Sequence, residues 1–228
     1  ARTPATDDLF DRPEGESAVC ETDRAWFHSY VARMLYLAKH CRLECLPAVA
    51  CLSTRVSAPT PSDVQKLKRV LRYVRGTAGT ALVLRIGEGG VSVSAYVDAS
   101  HAVHSDRKSH TGVAVVVGEG ACVLAKSTKQ KIVTKSSTEA ELVGASDSAG
   151  CAYGVQRFLE GQGYTLPPIT LAQDNQSTIA LLKKGRSTSD RTRHIDVRHF
   201  WLSDRVAAGE LNIEYLPTES AGLALTHI

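Results

Sequence analysis

Three acidic residues hold the densest chemistry in this sequence. Asp98 closes the run Val91-Ser-Val-Ser-Ala-Tyr-Val-Asp98. Glu141 falls in the first turns of a predicted helix, in Ser136-Ser-Thr-Glu-Ala-Glu-Leu142, and Asp174 follows the apolar run Ile169-Thr-Leu-Ala-Gln173. Carboxylates repel one another, so gathering three makes sense mainly where divalent cations neutralise them. A site of that kind points to metal-assisted phosphodiester chemistry. Each residue alone has a plainer role: Asp98 as the start of a turn, Glu141 as a solvated helix residue, Asp174 as a helix cap with Asn175 and Ser177. The weight lies in the combination.

The elements that must position these residues are legible in the hydrophobic pattern. In 91–98, Val91, Val93, Ala95 and Val97 share one face, and Ser92, Ser94, Tyr96 and Asp98 the other. Ser136-Ser-Thr-Glu139 forms a capping box, which occupies Glu139 and leaves Glu141 pointing elsewhere. Asp174 ends a strand where open α/β sheets bind ligands. Upstream, residues 1–22 read as a loose lead-in with no periodicity. Helices follow from Asp23, over about 46–56, and over 61–75, the last capped by Thr60 or Ser62 and ended by Gly76. After Gly76 the period becomes alternating, predicting strands at 81–86 and 91–97 and a hairpin of 113–117 with 121–125. A helix at about 138–161, a strand at 169–173, helices at 176–184 and about 196–208, and a strand at 211–216 complete the order. This pattern predicts an α/β fold with a mixed sheet packed by helices, with a boundary near residue 80.

The 228 residues, 43% hydrophobic, suffice for a proper core, and the net charge of +3 decides nothing by itself. No apolar run is long enough to span a membrane. Beginning at Ala1, the chain shows no secretory signal and reads as a piece of a longer product. Six cysteines lack paired or zinc-type spacing, which suits free thiols in a reducing, intracellular compartment.

An ordered series of motifs resembles a known family. It comprises Tyr96-Val-Asp-Ala-Ser100, Asp106-Arg-Lys-Ser-His-Thr-Gly112, Ser127-Thr-Lys-Gln130, Ser136 to Glu141, Gln173-Asp-Asn-Gln-Ser-Thr178, Arg191-Thr-Arg-His-Ile-Asp-Val-Arg198 and Glu214-Tyr-Leu-Pro-Thr-Glu219. The series is similar to the ribonuclease H domain of copia-type retrotransposon polyproteins. Leu35-Tyr-Leu-Ala-Lys39, Leu52-Ser-Thr-Arg55 and Leu67 to Thr77 resemble the end of the reverse transcriptase and its connection to that domain. The resemblance implies a ribonuclease H-like mixed five-stranded sheet flanked by helices over 81–228, preceded by a small helical connection segment over 23–80. It implies that Asp98, Glu141 and Asp174 are metal-binding carboxylates for two Mg²⁺ (or Mn²⁺) ions, and that the RNA strand of an RNA–DNA hybrid is cut. Ser136, Ser137, Asn175 and Gln176 are of the right type to read sugars. The upstream reverse transcriptase subdomains are the implied protein partner; no small-molecule cofactor is implied. The polymerase signature Tyr-x-Asp-Asp is absent from the chain.

The family's fourth carboxylate has no match. Gly222-Leu-Ala-Leu-Thr-His227 stands where an Ala-Asp pair precedes Leu-Thr-Lys, so Gly222 or Leu223 occupies the Asp position. The nuclease is then weakened, or the fold survives as an inactive module that binds nucleic acid or protein. Lys68, Arg69 and Arg72 on helix 61–75, and Arg191 and Arg193 in a Gly/Ser/Thr-rich loop, suit phosphates. His194 either touches substrate or caps the next helix. His101 and His104 read as exposed turn residues.

Overall fold

The computed structural model describes residues 1–184 and 193–217. Three helices come first. α1 (Glu21–His40) turns Phe27, Val31 and Ala38 fully inward. It begins at Glu21, so Asp23 lies in the first turn, where a negative charge suits the helix dipole, and is not the cap. α2 (Leu46–Ser53) buries Leu46, Ala48, Val49, Ala50, Cys51 and Leu52, so little of its circumference is wet. α3 (Pro61–Gly76) opens on Thr60. The Thr60 hydroxyl accepts from the Asp63 N–H, and the Thr60 N–H donates to the Asp63 carboxylate at 3.0 Å.

The first 22 residues are pinned, contrary to the expectation of a loose lead-in. A 3₁₀ turn at Asp7–Phe10 buries Leu9. Lys66 Nζ donates to the carbonyls of Asp8 and Asp11, both at 2.6 Å, and Arg55 donates to that of Phe10 at 2.8 Å. Arg55 also pairs with Asp63, which is 0% exposed. Cations gripping main-chain carbonyls leave no trace in hydropathy, and composition therefore read this segment as free.

The sheet has the order β3-β2-β1-β4-β5. β1 (Val93–Ser100), β2 (His110–Val117) and β3 (Ala121–Lys129) form an antiparallel meander. β4 (Ile169–Gln173) and β5 (Leu211–Tyr215) add to β1 in parallel. The strand expected at 81–86 is not formed. Only the carbonyls of Arg85 and Ile86 engage, accepting from Gly120 and Glu119 at the β2–β3 hairpin tip, while Val83, Leu84 and Ile86 stay exposed. Alternation alone makes no strand where no neighbour offers a full edge.

Helix α4 (Ser137–Gly161) lies across one face of β1, β2 and β4. Leu142, Ala145, Ala149 and Ala152 meet Val93, Ala95, Val97, Val113, Val115, Ile169 and Leu171 there. Gly144 permits the close approach: a Cβ at this position would lie 3.1 Å from both Thr111 Cγ2 and Val97 Cγ2. α5 (Gln176–Lys184) and α6 (Arg193–Ala207) pack beside α4. On the opposite face, α2 meets β3, and Leu43 packs on the buried Ala114, Val116 and Cys122. This is the mixed five-stranded sheet with flanking helices that the resemblance implies. Among the described residues, no helix is long and apolar enough to cross a membrane.

Candidate metal centre

Strand alternation sends Val93, Ala95, Val97 and Ala99 into the core and leaves Asp98 exposed on the other side. Asp98 sits near the outgoing end of β1. Asp174 follows β4 directly, and β1 and β4 run parallel, so both carboxylates emerge at the same end of the sheet. Glu141 arrives from α4. That helix starts where Ser136 Oγ accepts from the Glu139 N–H at 3.2 Å. Glu139 reaches back one residue further than a capping box would, accepting from the Lys135 N–H at 2.6 Å. Glu139 is thereby held at the helix start, and Glu141 turns inward to only 5% exposure.

The three carboxylates each offer an oxygen, and these oxygens lie within 4.8 Å of one another. Glu141 is the most constrained. Its Oε1 accepts from the Ala99 N–H at 3.0 Å and its Oε2 from Gln173 Nε2 at 2.8 Å. Burial, reinforced by the charges of Asp98 and Asp174, pushes Glu141 up to about 8, against the pull of those two donors. Burial, then the Asp174 charge, also raises Asp98, which stands at a rim: solvent reaches one side and the strands crowd the other. Three hard oxygen donors whose charges repel one another fit Mg²⁺ or Mn²⁺, whose charge would reverse that repulsion.

The structure also resolves the plainer roles. Asn175 Oδ1 accepts from the Thr178 N–H at 3.0 Å, so Asn175 caps α5 and Asp174 is not needed there. Ser136 is the α4 cap, with Ser137 beside it at the first helical position; both are exposed, as is Gln176. Lys68 and Arg72 are exposed on α3, and Arg69 donates to Thr3 Oγ1 at 3.0 Å. These three belong to the helical layer, since α3 packs on α1 and α2 and those two helices meet β3. Arg191 lies outside the described residues, as do Gly222 and Leu223. Arg193 and His194 fall in the first turn of α6, where only the backbone is described.

Two features escaped the sequence reading. Gln173 was read only as part of a motif, yet a polar residue in line with Ile169 and Leu171 on a core-facing row was the available signal. His104 is buried, not exposed. Its Nε2 lies 3.0 Å from His110 Nδ1, and His110 Nε2 lies 2.6 Å from Ser127 Oγ, under the ring of Phe10. Burial drives both imidazoles down, His110 to about 4, so the pair is neutral at ordinary pH.

Comparison with known proteins places this architecture. The chain is 32% identical over 193 residues to the retrovirus-related Pol polyprotein from transposon TNT 1-94 of Nicotiana tabacum, covering 84% of this chain and 14% of that protein. It is 34% identical over 120 residues to secreted RxLR effector protein 161 of Plasmopara viticola, covering 54% of this chain and 84% of that one. The solved foamy viral protease-reverse transcriptase in complex with double-stranded DNA superposes at TM-score 0.51 and 9% identity. That match covers 93% of this chain and 34% of that one, a likeness of fold. No family model matches. The chain spans 14% or less of the length of the Pol polyproteins it matches. Its sequence is that of a region of the copia-type retrotransposon Pol polyproteins, and its five-stranded sheet has the ribonuclease H-like fold.

Proposed function

We propose that the chain hydrolyses the RNA strand of RNA–DNA hybrids, with Asp98, Glu141 and Asp174 holding two Mg²⁺ or Mn²⁺ ions. The observation that carries this reading is the approach of the three carboxylate oxygens to within 4.8 Å at the outgoing ends of β1 and β4. Bound cations would neutralise charge at the scissile phosphate and make a hydroxide-like nucleophile accessible near neutral pH.

The chain's own residues orient and select. Ala99 and Gln173 fix the plane of the Glu141 carboxylate. Ser136 uses one of its oxygen's two acceptor positions on the Glu139 N–H, which leaves its O–H to donate to a ribose; Asn175 likewise keeps its NH₂. Recognition of the 2′-hydroxyl by Ser136, Ser137, Asn175 and Gln176 would pick out RNA. Lys68, Arg69, Arg72, Arg191, Arg193 and His194 would hold phosphates. Residues 23–80 would act as the reverse transcriptase connection and 81–228 as the nuclease, working inside the cell beside the upstream polymerase subdomains.

Cleavage of an end-labelled hybrid in Mg²⁺ and in Mn²⁺, with Asp98→Asn as control, tests the reading; no cleavage in either metal refutes it. The second reading is a silent hybrid-binding module, and Gly222 or Leu223 at the family's Asp position favours it. That reading requires hybrid binding with no cation-dependent product.

A further inference from the structure

We propose that Gln173 is a positioning residue for Glu141, and that the strands delivering Asp98 and Asp174 thereby also aim the third carboxylate. The inference rests on reading the three carboxylates as a cation site. β4 sends Ile169, Leu171 and Gln173 toward α4, with exposures of 0%, 0% and 1%. An amide in such a row costs more than a hydrocarbon unless it finds a partner. Nε2 finds one in Glu141 Oε2 at 2.8 Å, while Oε1 has none among the described residues. Only the NH₂ end can face an ionised carboxylate, so with a cation bound the amide's orientation is set by Glu141.

The backbone of Gln173 is itself fixed, its carbonyl accepting from the Leu216 N–H at 2.9 Å and its Cα paired with Tyr215. On the other side, the Ala99 N–H holds Oε1 at 3.0 Å. Ala99 follows Asp98, and Gln173 precedes Asp174. Each strand therefore contributes one cation ligand and one donor that aims Glu141, and any shift of β1 against β4 moves all three carboxylates together. Two of the carboxylate's roughly four acceptor positions are used this way, leaving the others for a cation.

The test is Mn²⁺ titration calorimetry on the whole chain, comparing the parent with Gln173→Met, which keeps length and removes the donor. Affinity is expected to fall about 10–100-fold, the usual effect of losing an outer-shell partner. In a Glu141→Ala background the same substitution is expected to change nothing further. Equal affinity of parent and Gln173→Met overturns the inference, and so does an equal loss in both backgrounds, which marks a packing defect. Should Gln173→Met fail to fold, the side-chain amide resonance of Gln173 in the unaltered protein decides: it must move on Mg²⁺ saturation, and an unmoved signal overturns the inference. A parent that binds no Mn²⁺ removes the cation site itself, a result distinct from the others.

Discussion

Replacing Glu141 by glutamine should stabilise the metal-free protein, and by an amount that depends on pH. The folded protein holds Glu141 protonated up to about 8, whereas the unfolded chain ionises it from its ordinary value of 4.5 upward. Between those limits the unfolded state has released a proton that the folded state retains, so stability falls as pH rises through the window and levels off above it. At about 1.4 kcal/mol per pH unit over about 3.5 units, the loss is on the order of 5 kcal/mol. Glu141→Gln carries no charge and escapes it. Its Oε1 keeps the Ala99 donor, and a flip of Gln173 would offer the unpartnered Oε1 to the new NH₂. For a chain of 228 residues, about 2 °C or more per kcal/mol puts the variant about 10 °C above the parent at pH 9 in EDTA. At pH 4 the two should melt together. Circular dichroism melts at pH 4, 6 and 9 measure this, and Mn²⁺ should raise the parent's melting temperature and hardly that of Glu141→Gln. A gap that is the same at pH 4 and pH 9, or a variant that melts below the parent at pH 9, would refute the reasoning.

Asp98→Asn should lower cleavage by more than about 100-fold, the upper end for losing a mere outer-shell partner, while leaving the fold intact, because Asp98 stands exposed at a strand end; a hybrid-cleavage time course checks it. Arg55→Ala should cost about 3–5 kcal/mol in urea unfolding, since it strands Asp63 at 0% exposure. The same change should speed proteolysis around Phe10, whose carbonyl it releases. Leu223→Asp should raise cleavage if the missing fourth carboxylate is what limits it, read as initial rate on the same hybrid; an unchanged rate puts the limit elsewhere.

Strand alternation and helix period carried most of the architecture. The expected run 91–98 overlaps β1, which runs two residues further on at Val93–Ser100 with Asp98 on the expected face, and 169–173 matches β4 without a residue's shift. The three carboxylates were legible because each stands at the end of an element, where position along the chain and position in space are tightly linked. What failed depends on distant partners. The run 81–86 has the alternation of a strand, but the only edge beside it is a hairpin tip. His104 lies in a polar loop, and its burial comes from Phe10, nearly a hundred residues earlier. Gln173 stands out in the sequence only as part of a motif, because its hydrogen bond runs from β4 to a helix 32 residues earlier.

The helical layer has a consequence for how this sheet can be passed between longer chains. Leu43 and α2 roof the apolar flank made by Ala114, Val116 and Cys122, and Phe10 closes over the histidine pair. A product that started at residue 81 would carry that flank bare into water and be prone to aggregate. Any shuffling of this fold between longer chains must therefore break upstream of the roof, so that the helices travel with the sheet they cover.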